Sequence, residues 1–229
     1  MKIFLFFIVS SILLFSNETK LEYGKKIYYK TCVSCHGEKG ISNPQMRLVV
    51  NPRNLSKTIL NKEQAVKIIA NGAHFYGAHA DIMPSFKSVY DKKEIEAVAE
   101  YIVKTFRPNQ EKRIYQLLEQ SQKLNFSEKK MLEIGEKIYK KKCSLCHGKQ
   151  GEGDGTFVKA SKKNKDMIYP YNLQRTLLSE EQIFLYAKYG GKFWGTYKND
   201  MPSWKKKYSD VELKSVAKYV SKKIVKIDR

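Results

Sequence analysis

The sequence predicts an all-α protein built as two tandem small helical domains. Three observations predict it. The chain repeats itself, helix-start signals recur at matching places in the repeats, and no run alternates at period two for long enough to suggest a sheet.

The repeat fixes the organisation. Gly24-Lys-Lys-Ile-Tyr28 matches Gly135-Glu-Lys-Ile-Tyr139. From Pro52 onward the copies align without a gap at an offset of 118. Pro52-Arg-Asn54-Leu55 pairs with Pro170-Tyr-Asn172-Leu173, and Met83-Pro-Ser-Phe86 with Met201-Pro-Ser-Trp204. Gly72 pairs with Gly190, Gly77 with Gly195, and Tyr101 with Tyr219. The second copy is seven residues longer, and the excess falls in the Gly- and Lys-rich stretch Gly148 to Tyr169. The expected division is a leader over 1–16, a first domain over 17–107, a partly helical linker over 108–126 and a second domain over 127–229.

Helix starts are readable within each copy. Asn61-Lys-Glu-Gln64 and Ser179-Glu-Glu-Gln182 have the form of capping boxes, in which a short polar side chain and the residue three places on satisfy each other's backbone N–H. Asp91 to Glu94 and Ser209 to Glu212 repeat the pattern before the last helix of each copy. There Ile95, Val98, Ala99 and Ile102 fall on one face, as do Leu213, Val216, Ala217 and Val220. Pro108 ends the preceding helix, and Ser127 is placed to cap the next.

The chemistry lies in a pentapeptide written twice: Cys32-Val-Ser-Cys35-His36 and Cys143-Ser-Leu-Cys146-His147. These use all four cysteines and two of the four histidines. Two disulfides do not need a histidine after the second cysteine, and a zinc site built from all four cysteines would leave both histidines unexplained. A thioredoxin-like pair is the remaining alternative, and two copies inside a longer repeat argue against it. Covalent attachment of haem c explains every position. Two thiols add to the vinyl groups as thioethers, and the adjacent imidazole ligates the iron. Two motifs imply two haems per chain. A porphyrin at the centre of each copy also explains why such small domains carry long loops, because the loops wrap it.

Composition bounds the setting. Residues Ile3 to Phe15 form an apolar run of thirteen, shorter than the about 20 that span a bilayer, and fit the core of a secretory signal. A periplasmic location follows as the expectation. The site near Ser16 is a poor match to a cleavage signal, which keeps an uncleaved N-terminal anchor as the alternative. The formal net charge is +20. Residues 17–124 hold 18 basic and 11 acidic side chains, and 125–229 hold 24 and 12. Export and haem argue against nucleic acid as a partner. A solvated basic surface and a surface that steers toward acidic redox partners or anionic membrane are both open readings.

With these motifs in order, the sequence resembles class I cytochrome c in its tandem di-haem bacterial form, and is similar to the haem domains of oxidase c-type subunits. The resemblance covers essentially the whole chain after the leader. It implies that the first and last helices of each copy cross, with Gly24 and Gly135 letting Tyr101 and Tyr219 approach. It implies that Met83 and Met201 are the distal iron ligands, opposite His36 and His147. It also implies that a carbonyl in the Pro52 and Pro170 turns accepts the proximal imidazole N–H, although these prolines read equally well as simple turn residues. The residues themselves support the methionine assignment. Met83 and Met201 are the only methionines at equivalent positions, each is followed by a proline that stiffens the loop, and a thioether suits haem iron. His74 and His79 compete for the first haem. They align with Lys192 and Tyr197, so the second copy has no histidine at either place.

The expected function is single-electron transfer between respiratory partners through two His/Met haems, with no catalytic residue. A di-haem enzyme of peroxidase or thiosulfate-oxidising type is the first alternative, but it needs a vacant or unusual ligand, and no spare cysteine exists. A haem subunit of a membrane oxidase or reductase complex is the second.

Overall fold

A computed structural model describes residues 19–50, 52–78, 83–121, 126–161, 170–197 and 201–228. The leader, His79 and residues 162–169 of the Gly- and Lys-rich stretch lie outside the described residues. Among the described residues there are helices and no strands.

The first copy runs α1 (Lys20–Ile27), a π-helical turn over Tyr28–Cys32, α2 (Val33–His36), α3 (Pro44–Val49), α4 (Lys62–Asn71) and α5 (Lys92–Phe106). Then come α6 (Gln110–Glu119), between the copies, and α7 (Glu128–Ile138). The second copy continues through a π-helical turn over Tyr139–Cys143 to α8 (Ser144–His147), α9 (Thr156–Ser161), α10 (Glu180–Tyr189) and α11 (Asp210–Tyr219).

The starts follow from local chemistry. Asn61, Asp91, Ser179 and Ser209 each close a reciprocal capping box with Gln64, Glu94, Gln182 and Glu212. Each box satisfies two of the N–H groups that a helix N-terminus leaves without partners. Ser127 accepts from the Lys130 amide at the start of α7. Thr19 and Glu22 form a further capping box at α1.

In each copy the first helix packs on the last, α1 on α5 and α7 on α11. The crossings are close enough to require glycine. A Cβ added at Gly24 would overlap the Ala97 carbonyl oxygen and approach Cβ of Tyr101. One at Gly135 would overlap the Ser215 carbonyl oxygen and approach Cβ of Tyr219. The aromatic partners then meet, with ring centroids 5.5 Å apart for Tyr28 and Tyr101 and 5.5 Å for Tyr139 and Tyr219. Both crossings are as the resemblance implied. A surface ion pair also recurs, with its sign exchanged. Lys62 on α4 bridges Glu100 on α5 at 3.3 Å, and the equivalent Glu180 on α10 bridges Lys218 on α11 at 3.2 Å.

The two copies face each other about a local pseudo-twofold axis. The side-chain amide of Gln64 donates to Gln182 at 2.7 Å, and that of Gln182 donates to Gln64 at 2.9 Å. Each also donates to a backbone carbonyl of the other copy, Leu177 at 2.6 Å and Ile59 at 3.0 Å. Both glutamines are buried. Losing either partner would leave buried polar groups unpaired, at about 1–3 kcal/mol. Ile59 inserts its side chain into the core of the second copy. Helix α6 lies on that same core through Ile114, Leu117 and Leu118.

Replacing Gly24 or Gly135 by valine forces each crossing apart. The full chain should lose about 1–3 kcal/mol of stability, as other overpacked contacts do. Denaturant titration measures this, and an unchanged midpoint would contradict the crossing geometry.

Candidate haem-binding sites

Each Cys-X-X-Cys-His motif begins at the last residue of a π-helical turn that follows α1 or α7. The Val33 amide donates back to the Tyr28 carbonyl, and the Ser144 amide to the Tyr139 carbonyl. Such widened turns recur at functional positions. The far end of each motif is clamped by a buried tyrosine. The Tyr28 hydroxyl donates to the Gly37 carbonyl at 2.6 Å, and the Tyr139 hydroxyl to the Gly148 carbonyl at 2.9 Å. Burial raises both phenols above their ordinary range, so they remain donors.

The histidines are held from one side. Nδ1 of His36 lies 3.2 Å from the Arg53 carbonyl oxygen, and Nδ1 of His147 lies 3.0 Å from the Tyr171 carbonyl oxygen. A carbonyl can only accept, so this bond places the proton on Nδ1. Nε2 then keeps the lone pair needed to ligate a metal. Burial pulls the pKa of His36 down, and the carbonyl contact opposes this in part, so the ring is neutral at physiological pH. Both carbonyls belong to the residue after the shared proline, Pro52 or Pro170. The simple-turn reading of these prolines is therefore too weak.

None of the four cysteines is paired in a disulfide. Burial pushes Cys32 and Cys143 up to about 12 and raises Cys146 as well. Among the described residues no three His, Cys, Asp or Glu side chains gather to hold a bare metal ion.

The Met-Pro segments are strapped to the ends of α4 and α10. Phe86 N–H donates to Ile69 at 3.1 Å, Lys87 N–H to Ala70 at 3.1 Å, and the Ser85 hydroxyl to Ala70 at 2.6 Å. In the second copy Trp204 N–H donates to Ala187 at 3.0 Å, Lys205 N–H to Lys188 at 3.3 Å, and the Ser203 hydroxyl to Lys188 at 2.7 Å. The segment thus satisfies carbonyls that a helix C-terminus leaves without partners. Gly72 and Gly190 make the approach possible. Their φ angles are +81° and +79°, and a Cβ there would press on the backbone of Met83-Pro84 or Met201-Pro202.

The structure brings Cys32 and Met83 to one apolar cluster with Val33, Leu55, Phe86 and Tyr90. In the second copy Cys143, Leu173, Trp204 and Tyr208 line the corresponding face. His74 is exposed, in a 3-10 turn, with Nδ1 3.0 Å from the Ala78 carbonyl. Its competitor status at the first site rests on sequence position alone, and His79 lies outside the described residues.

These residues fit haem c. Each copy supplies two unpaired thiols, an imidazole with its proton fixed on Nδ1, and a methionine on a tied-down loop. Cys32 and Cys35 with His36, and Cys143 and Cys146 with His147, would hold the group on the proximal side. Met83 and Met201 would close the distal side. Sequence reasoning missed the contacts between copies. Gln64 and Gln182 read only as capping-box residues, and Asn54 and Asn172 only as turn residues. Their equivalence under the repeat was the available signal, since residues near a twofold axis meet their own counterparts.

The family match falls on both copies. Residues 19–102 and 130–220, well over half the chain, match the family described as cytochrome c oxidase, cbb3-type, subunit III. No curated protein matches the chain. One similar solved structure is the Kuenenia stuttgartiensis reducing HAO-like protein complex Kustc0457/Kustc0458, at 24% identity and a TM-score of 0.47, covering 89% of this chain and 96% of that one. Another is the KustC0563 c-type cytochrome, at 20% identity and a TM-score of 0.31, covering 37% of this chain and 96% of that one. Two motif-bearing copies, both matched by the same family and both built on the same helix crossing, make this chain a tandem class I cytochrome c and a member of the cbb3-type subunit III family.

Proposed function

We propose that the chain is an exported electron carrier that holds two haems c, one in each of the domains 17–107 and 127–229. The observation that carries this reading is duplication of the whole ligand set. Each copy has an anchored imidazole and a strapped Met-Pro loop at equivalent positions. When bound, haem c supplies a one-electron ferric/ferrous couple. The residues do the rest. His36 and His147 present Nε2, with the Arg53 and Tyr171 carbonyls raising their donor strength. Met83 and Met201 would each offer the iron a thioether, which favours the ferrous state relative to a second histidine. A ligand set that leaves no position open would suit electron transfer rather than activation of a small substrate.

The basic surface supports docking onto an acidic redox partner in the periplasm. The charge is +20 before haem propionates are counted, and attraction of this kind speeds a short-lived encounter. The family description favours a second reading, in which the same chemistry serves as a haem subunit of a membrane oxidase complex. Among the described residues no helix is long and apolar enough to cross a membrane. Anchoring in that case would come from the N-terminal segment or from the partner complex.

A pyridine haemochrome assay on the intact protein, normalised to protein concentration, should give two haems c per chain. One haem would contradict the duplicated site. Met83→Ala should remove the sulfur-to-iron charge-transfer absorption of one haem and leave that of the other. Survival of both bands would exclude Met83 as a ligand. Electron-transfer rates with an acidic partner should fall steeply between low and physiological ionic strength, and a flat profile would contradict the docking reading.

A further inference from the structure

The contacts between copies run through the peptide units that hold the proximal histidines. The Arg53 carbonyl accepts from His36, and the Asn54 amide is the other end of that same peptide unit. This amide donates to the Gly195 carbonyl of the second copy at 3.0 Å. The next peptide unit continues the chain. Thr196 N–H donates to the Gly191 carbonyl at 3.1 Å, and Gly191 N–H donates to the Met201 carbonyl at 2.9 Å. The reverse direction repeats every link. The Tyr171 carbonyl accepts from His147, and Asn172 N–H donates to the Gly77 carbonyl at 2.8 Å. Ala78 N–H then donates to the Ala73 carbonyl at 3.2 Å, and Ala73 N–H to the Met83 carbonyl at 3.0 Å.

The contact is tight at both crossings. Gly77 and Gly195 both have φ of +93°, and a Cβ on either would overlap or press on the Asn172 or Asn54 carbonyl. Asn54, Gly77 and Gly195 are buried, so water does not compete for these bonds.

We propose that Asn54 and Asn172 are positioning residues through which each domain tunes the proximal ligand of the other. The proposal rests on the ligand assignment above. A peptide unit that donates from its N–H becomes a better acceptor at its C=O, because hydrogen bonds in series polarise one another. A better acceptor draws the Nδ1 proton away from the ring and makes the imidazole a stronger donor. That stabilises ferric iron. Docking of the second copy at Asn54 therefore lowers the potential of the first haem, and docking of the first at Asn172 lowers that of the second. The series ends at the Gly191 and Ala73 carbonyls, because the N–H that meets the Met201 or Met83 carbonyl belongs to the preceding peptide unit. These bonds tie each relay loop in place beside its own Met-Pro segment.

The test is a redox titration of the full-length holoprotein with hydrogen exchange at the Asn54 and Asn172 amides. Met83→His and Met201→His assign the waves, since a second histidine moves its own haem to lower potential. Gly195→Ala should deprotect the Asn54 amide and raise the potential of the first haem, although the substitution lies in the second copy. Gly77→Ala should do the converse. Gln182→Met is the milder variant. It removes the reciprocal glutamine contacts without touching either relay loop, and should deprotect both amides and raise both waves. Waves that move only in the copy carrying the substitution overturn the proposal. So does a deprotected amide with an unmoved opposite wave, or an amide that stays protected in all three variants. If neither histidine variant moves a wave, the ligand assignment itself has failed and the proposal falls with it.

Discussion

The site depends on one bond, the imidazole Nδ1–H donated to a backbone carbonyl beside a proline. It settles the tautomer, and the tautomer decides which nitrogen keeps the lone pair that a ligand needs. Arg53 and Tyr171 supply the two carbonyls although their side chains have nothing in common. Only the backbone is used for this bond, which explains why the repeat keeps the proline and asparagine but lets the residue between them vary. The Arg53 side chain is turned to a different task, donating to the Tyr186 hydroxyl of the other copy at 2.8 Å. The remainder of each domain brings that carbonyl to that ring. The tyrosine clamp fixes the end of the motif helix, and the helix crossing fixes where the motif begins.

The duplication separates what the fold needs from what it tolerates. Both copies need a glycine at the helix crossing, a capping box at the two later helices, and a glycine that lets the Met-Pro segment approach. They tolerate an exchange of sign in the α4–α5 and α10–α11 ion pairs, as expected of surface pairs worth at most about 1 kcal/mol. They tolerate phenylalanine or tryptophan after the Met-Pro-Ser run, because that position packs by bulk against its own core. The second copy ends its last helix in a π-helical turn, Val220–Ile224, where the equivalent residues 102–106 of the first copy stay α-helical.

Local chemistry was legible in the sequence. The four capping boxes could be read from a polar residue and its partner three places on, and the repeat could be read by alignment. The short helices α3 and α9 were not read, because each is about one and a half turns long and has no room for a periodic pattern. The pairing of Gln64 with Gln182 spans 118 residues and uses side chains already spent, by sequence logic, on local caps. Each glutamine does both, capping with its oxygen and reaching across with its nitrogen. No local pattern records the second use. The proximal carbonyls were anticipated only through family resemblance, since nothing in a Pro-X-Asn-Leu turn says which ring it will meet.

The central claim is that this chain holds two equivalent His/Met centres. Proton NMR of the fully reduced full-length protein tests it most directly. A methionine ligated to low-spin ferrous haem has its side-chain protons shifted far upfield by the porphyrin ring current. The account predicts two such sets of signals, one lost on substitution of Met83 and the other on substitution of Met201. A single set, or two sets that survive both substitutions, would contradict it.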